Sequence, residues 1–544
     1  MTPLRFAVAF LAVPTALAAQ VTPEQFTAIK EQGLAKSQVM AFLDHLVNRI
    51  GPRLTSSDNL TDAAEWARDT FQSFGIADAH LEQWGTFPVG FNRGPWWGRM
   101  TKPEKKELVC NTNAWTAGTK RPSRGPLLLS PKDADALAAM KGKLANVWLL
   151  DPPGELFDAL QAAVVEEGGF GFVGAPGNDD DRLLTDGNPG VTWEDLPKVP
   201  FVRLRRDAYR EVRGLLDDGK EVEVEFDVRN HFKKGPIPLY NVIADIPGTE
   251  HPDEFVVVSG HLDSWDGATG ATDNGTGTAT TIEAARILTA IGAKPKRTIR
   301  FMLWSGEEQG LLGSRAWTAA HKEELAKYSA CLVHDGGTNY VSGIAGMEEM
   351  RPQLETVFAP VMELDPKMPF RIRDIDMFMP IGSDHESFWR RGVPGFFWDQ
   401  SGRASYPHTH HTQYDTFDAA VPEYQMHSSV VIATGALGLA NLPELLTREN
   451  MKVWRGPGGG PAPGQRLLGV NLGEDTGLVV TGVAEDGIAE KVGIKPGDRI
   501  VRMGDKEVAK LEELRAAMRD GPAKTTVTVK RAGKELSFDV QFAQ

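Results

Sequence analysis

The chain has 544 residues, of which 41% are hydrophobic and 24% charged, and its formal net charge is −14. A chain of that length exceeds one ordinary domain and implies roughly two to four. The acidic balance argues against a nucleic acid or an anionic membrane surface as partner, because both need a basic face.

Taken in chain order, residues 1–18 read as a signal peptide. Arg5 supplies the positive charge, Phe6 to Leu17 is a short apolar run, and Ala16-Leu17-Ala18 is a small-x-small cleavage site. The run is too short to span a membrane, and no later segment has the length without charges, so the expectation is an exported protein, periplasmic or secreted. Residues 19–117 open with helices: Met40, Leu43, Leu46, Val47 and Ile50 recur at helical spacing, Gly51-Pro52 stops one helix, and Asp62 to Phe74 begins the next. The two cysteines, Cys110 and Cys331, exclude a disulfide framework and leave either one bridge or two buried thiols.

Residues 118–234 alternate short strands (Asn146 to Leu150, Phe170 to Val173, Val199 to Val202) with Ala- and Glu-rich helices and read as an inserted α/β module. From 235 to 446 the β-α alternation strengthens. Phe255 to Val258, Ile299 to Trp304 and Cys331 to Val333 are compact apolar runs, as in strands covered on both faces. Residues 447–465 are a linker, with five Gly and three Pro between Arg455 and Gln465. Residues 466–544 form a small separate domain.

The chemistry lies in 235–446. His261-Leu262-Asp263, Ser305-Gly306-Glu307-Glu308 and Asp335-Gly336-Gly337 each begin where a strand is predicted to end, the edge at which open α/β sheets bind ligands. Ala271-Thr272-Asp273-Asn274-Gly275 lies in a Gly-rich run that lets backbone approach a ligand closely. A loop from Tyr406 to Thr416 contributes His408, His410 and His411. Mixed imidazole and carboxylate ligands suit zinc better than calcium or magnesium.

These segments, in this order, resemble the co-catalytic zinc aminopeptidase and carboxypeptidase family, most closely its plasma glutamate carboxypeptidase (carboxypeptidase Q) branch. The resemblance implies a mixed, mostly parallel sheet covered by helices on both faces, the zinc exopeptidase fold, with two Zn2+ ions. Asp273 is then the carboxylate shared by both zincs. His261 and Asp335 complete one site, Glu308 and His411 the other, with His410 the alternative to His411. Glu307 is the general base acting on a bridging hydroxide, and Asp263 either orients His261 or caps its loop. His385, in Gly382-Ser383-Asp384-His385-Glu386, either donates to the oxyanion or is a solvated loop histidine. Trp265, Phe378, Phe388, Trp398 and Tyr406 are candidates for an apolar side-chain pocket.

The 118–234 module is similar to a protease-associated domain. The C-terminal domain resembles a PDZ domain of bacterial proteases through Gly493-Ile494-Lys495-Pro496-Gly497-Asp498, with Leu467-Leu468-Gly469-Val470 as the carboxylate-binding loop for a C-terminal peptide. The function implied is a metallo-exopeptidase cutting at the free N-terminus of peptide substrates. A dipeptidase or carboxypeptidase on the same scaffold, a single-zinc cyclase and a non-catalytic peptide-binding protein are the alternatives.

Overall fold

The computed structural model describes residues 20–178, 180–452, 466, 468–472, 478–483, 487–531 and 533–542. The expected signal peptide, residues 453–465 of the expected 447–465 linker and Leu467 lie outside the described residues. No helix among the described residues is long and apolar enough to cross a membrane.

A twelve-stranded mixed sheet organises the chain. At its functional end, strand His251–His261 lies between Arg297–Trp304 and Tyr328–Val333 and is parallel to both. Strand Gly395–Phe397 continues the parallel set on the outside of Tyr328–Val333. The uninterrupted apolar runs are explained by burial of both faces. Val256, Val258, Ile299, Phe301, Leu303, Ala330 and Leu332 join the large core on one side. Val257, Met302, Trp304, Cys331 and Val333 pack with Trp317 and Phe388 on the other. Alternate residues point to opposite faces, so each strand serves two cores.

Helices Thr276–Ala290 and Pro422–Ala440 cover the first face, and Leu312–Ala320 and His385–Trp389 lie against the second. Gly277 shows how closely the first helix abuts the strand ends. A Cβ there would stand 1.9 Å from the His334 carbonyl oxygen and 2.4 Å from Asn274 Oδ1. Only glycine lets that helix begin directly under the edge where the strands end. Cys110 and Cys331 are both free and buried.

The sheet holds a feature that periodicity did not predict. Strand His80–Lys102 pairs antiparallel with Glu223–Ile246 along nearly the whole length of both. Four register shifts interrupt the pairing, so the alternation of side chains breaks repeatedly and no clean period of two survives in the sequence. The strand Ser123–Leu129 adds to this ribbon, and Trp148–Leu150, Gly171–Gly174 and Phe201–Leu204 follow in parallel. The 118–234 region is therefore hydrogen-bonded into the same sheet as the rest, and position 234 lies inside a continuous strand.

At the C-terminus, Arg499–Met503, Lys506–Glu507, Lys524–Arg531 and Lys534–Gln541 make a four-stranded sheet, and Val470–Leu472 pairs with Val480–Val483. Helix Leu511–Asp520 adds Leu514 and Ala517 to the core of this domain. Asp498 of the Gly-x-x-Pro-Gly-Asp run is buried. It accepts from the Lys495 N–H (2.8 Å) and takes a bidentate ion pair from Arg531 (2.6 and 2.7 Å). The motif's acid thus closes its own turn and ties it to the last hairpin.

Candidate metal centre

His261 ends its strand, Glu307 and Glu308 follow Trp304, and Asp335 follows Val333 by two residues. Because the three strands are parallel neighbours, these side chains emerge at one edge. Asp273 reaches the same point from the turn ahead of helix Thr276–Ala290. Asn274 fixes that turn, donating to the His334 carbonyl (2.8 Å) and accepting from the Gly277 N–H (2.9 Å).

Asp273 stands between two sets of groups. Its Oδ1 lies 3.2 Å from His261 Nε2, which in turn lies 3.6 Å from Asp335 Oδ1. Its Oδ2 lies 3.2 Å from His411 Nε2, and that nitrogen is 2.9 Å from Glu308 Oε2. His261, Asp273 and Asp335 bring one donor atom each within metal-binding reach of one another, and so do Asp273, His410 and His411. His410 stacks on His411 at 3.9 Å and comes 3.6 Å from Asp273 Oδ2. The ion pair to Glu308 is made by His411.

The electrostatics follow from crowding buried carboxylates. Burial pushes Glu307 well above the usual carboxylate range, with Asp335, Asp384 and Glu308 adding to the rise and His261 opposing it. Burial likewise lifts Glu308 to about 7, with Asp273 adding and His411 opposing. Asp273 is held well below its ordinary value because His261 and His411 outweigh its burial. His411 is also buried enough to be pushed down, but Glu308 and Asp273 raise it to about 11. The imidazoles thus carry the charge that offsets the carboxylates. A divalent cation would do the same with neutral imidazoles, releasing the protons.

Asp263 does more than orient a histidine. His261 Nδ1 lies 3.1 Å from the Asp263 backbone carbonyl, and the Asp263 carboxylate is further away at 3.7 Å. That carboxylate accepts from the Glu307 N–H (3.3 Å), the Glu308 N–H (3.2 Å) and the Thr55 hydroxyl (3.0 Å). It therefore holds both glutamates in place from the adjacent strand end.

Sequence reasoning assigned no role to Arg53 or Asp415. Arg53 is fully buried and donates to the carbonyls of Leu262 (2.7 Å), Thr269 (3.0 Å) and Gly270 (2.7 Å), pinning the loop between His261 and Asp273. Burial lowers it to about 10, against Asp415, Asp263, Glu308 and Asp273. Asp415 accepts from the Thr272 N–H (2.5 Å) and hydroxyl (2.8 Å) and from the Asp273 N–H (3.2 Å). The spacing from His411 to Asp415 was a usable signal for Asp415. Arg53 had none, because its partners lie more than 200 positions away.

His385 is not a solvated loop residue. It is buried at the start of a short helix, its Nδ1 has no hydrogen-bond partner among the described residues, and burial lowers it to about 4. Its ring lies 5.5 Å from Phe397, which also borders Gly336 beside Asp335. Of the aromatic candidates, Phe378, Phe388 and Trp398 are core residues and not pocket walls. Trp265 stays at the site, its ring edge-on to His411 at 6.2 Å and its backbone N–H donating to Glu308 Oε1 (3.2 Å), and Tyr406 packs over Gly337.

In the C-terminal domain Leu468 is buried, Gly469 has φ +79° and Val470 starts a strand. Leu467, as noted, is not among the described residues.

Comparison with known proteins agrees with the fold. Residues 241–434 match the model of peptidase family M28, and residues 479–531 match that of a PDZ domain. The chain is 26% identical to carboxypeptidase Q of Xenopus laevis over 434 residues, covering 76% of this chain and 88% of that protein. Human carboxypeptidase Q is 26% identical over 435 residues, with the same coverage. Among solved structures, a peptidase M28 precursor from Shewanella amazonensis superposes with a TM-score of 0.57 at 24% identity, covering 78% of this chain and 98% of that one.

Proposed function

We propose, from the match of residues 241–434 to peptidase family M28, that the protein is a zinc-dependent exopeptidase that removes residues from the free N-terminus of peptides, with two zincs sharing Asp273. One observation carries this reading: the two oxygens of Asp273 face different ligand sets, His261 with Asp335 and His411 with Glu308. The donor set fits zinc. It is nitrogen and carboxylate oxygen only, and Asp273 Oδ2 and Asp335 Oδ1 are buried without a hydrogen-bond partner among the described residues.

Zinc, when bound, supplies a Lewis acid for the scissile carbonyl and a nucleophile at neutral pH. The remaining work falls to the chain's own residues. Glu307 is held by its N–H to Asp263, and its carboxylate points back to within 3.9 Å of His261 Nε2. It accepts a proton from the attacking water at its carboxylate and returns that proton to the leaving amine. His385, neutral because it is buried, donates from its ring to the developing oxyanion. The surplus of buried carboxylate around the glutamate pair favours a substrate ammonium over a substrate carboxylate.

A dipeptidase or carboxypeptidase reading has one observation in its favour. Arg315 follows the glutamate pair on helix Leu312–Ala320, is half-buried, and makes no ion pair or side-chain hydrogen bond among the described residues. Burial lowers it, with Arg390 adding and Glu386, Asp384 and Glu307 opposing. An unpaired guanidinium beside the base suits a C-terminal carboxylate.

One short peptide offered free, N-acetylated and C-amidated decides between the readings. The expected result is hydrolysis of the free and amidated forms and none of the acetylated form. Hydrolysis of the free form alone would transfer the assignment to the Arg315 reading. No hydrolysis of any form by zinc-loaded protein would remove the exopeptidase reading.

We further infer that the protein is exported, and that the PDZ domain takes a C-terminal peptide along strand Val470–Leu472 and supplies no catalytic group. Deleting residues 466–544 is expected to leave kcat/KM on a dipeptide-sized substrate unchanged, as measured by steady-state kinetics. A folded truncation with no activity would place part of the site in that domain.

A further inference from the structure

The loop that carries His411 has only the one-turn helix Tyr406–Thr409 of its own, and His411 itself sits at φ +52°, a conformation that non-glycine residues leave unless neighbours hold them there. The neighbours come from the other half of the sheet. The His411 carbonyl accepts from the Thr185 N–H (2.8 Å), and Leu184 bridges to Thr412 in antiparallel fashion. Gln413 is bound on three sides: its N–H donates to the Leu183 carbonyl (3.1 Å), its side-chain carbonyl accepts from the Leu183 N–H (2.6 Å), and its side-chain NH2 donates to the Asp181 carbonyl (3.3 Å). Arg182 Nη1 donates to the Pro407 carbonyl (2.5 Å).

The far side of this segment is tied to the sheet. The Leu184 carbonyl accepts from Asn111 Nδ2 (2.9 Å) and Arg203 Nη2 (2.5 Å), and the Asp186 carbonyl accepts from the Ala114 N–H (2.7 Å). A short extra strand pairing is thus anchored at one edge in 110–204 and at the other in the histidine loop.

We propose that segment 181–187 is a clasp that positions His411, and that Gln413 is the residue through which it acts. This rests on the two-zinc reading above. The zinc held by Asp273, Glu308 and His411 depends on the clasp. The zinc held by His261, Asp273 and Asp335 does not, because His261 and Asp335 are set by strand ends and the turn of Asp273 by Asn274. The 118–234 region therefore contributes to catalysis without supplying a ligand: it sets the affinity of one metal of the pair. Partners that support a ligand from behind commonly govern metal affinity by about 10–100-fold.

The test is zinc affinity in the full chain, by chelator competition, with thermal melting as the control for folding. Gln413→Ala is expected to weaken one of two zincs about 10–100-fold and leave the other unchanged. Gln413→Glu, which keeps the acceptor for the Leu183 N–H, is expected to return most of that loss. Arg182→Ala, which cuts the clasp at Pro407, is expected to weaken the same zinc and decides the matter if Gln413→Ala does not fold. Unchanged affinities in folded variants, or equal weakening of both zincs, would overturn the clasp. Wild-type protein that binds a single zinc would overturn the two-metal reading and the clasp with it, an outcome visible before any variant is made.

Discussion

Glu307→Gln is expected to keep both zincs and to lose about 10²–10⁴-fold of kcat on a short free peptide, the range typical of a removed general base. The carboxamide matches the carboxylate in shape, and the Glu307 N–H that donates to Asp263 is main chain, so the strand-end geometry survives. Of the two glutamates, Glu308 is the one ion-paired to His411 beside Asp273, and Glu307 comes no nearer than 3.9 Å to His261 Nε2. Without metal, its burial and its neighbours Asp335, Asp384 and Glu308 disfavour its charge against the pull of His261, so a neutral amide is tolerated there and the melting temperature of the metal-free protein should hold. Metal analysis and steady-state kinetics on the same preparation check both halves. Near-normal turnover would take Glu307 out of the mechanism. Intact turnover loss with lost zinc would make it a ligand instead.

Asp273→Ala is expected to have the broader effect: both zincs lost together and activity abolished. Each Asp273 oxygen serves a different histidine, so truncation removes a donor from both groups at once. It also removes one of the carboxylates that raise His261 and His411, leaving Glu307 and Asp335 beside the first and Glu308 beside the second, and it strips the Asp273 side of a turn that Asp415 grips through Thr272. Glu308→Gln is the contrast, expected to weaken the His411 side alone. Zinc titration by calorimetry distinguishes the two variants. Asp273→Ala protein that still binds one zinc with wild-type affinity would show that the carboxylate is not shared.

Much of this was legible before any coordinates. A ligand that directly follows an apolar run announces itself, because the run makes a strand and the strand's end makes a platform. That is how His261, Glu307, Glu308 and Asp335 are found. Gly277 and Asn274 explain the Gly-rich run around Asp273: close backbone approach excludes a side chain at one position and requires an amide at the other. The choice between His410 and His411 was poorer in signal, since adjacent histidines differ only in where the loop's turn aims them. The ion pair from His411 to Glu308 is a tertiary fact.

The residues that hold the ligands were mostly hidden. Arg53 reads as an ordinary helix-end arginine, yet its guanidinium is buried against three carbonyls of a loop more than 200 positions away. Asp263 looks like a partner for its neighbour His261, but its carboxylate instead takes the amides of Glu307 and Glu308. His385 sits among polar residues in the chain and is nonetheless buried. Polarity of local sequence says little about burial when the covering groups come from elsewhere.

The sequence by itself determined the chemistry on offer, the parallel strands that present it and the order of the regions along the chain. Local patterns encode these, through period, apolar runs and the position of an acid or histidine after them. Only the tertiary structure decided that 118–234 and 235–446 share one sheet, that the long ribbon His80–Lys102 with Glu223–Ile246 joins them, and that segment 181–187 grips the loop of His411. Backbone hydrogen bonds between distant segments make those connections, and a backbone amide carries no mark in the sequence of the partner it will find.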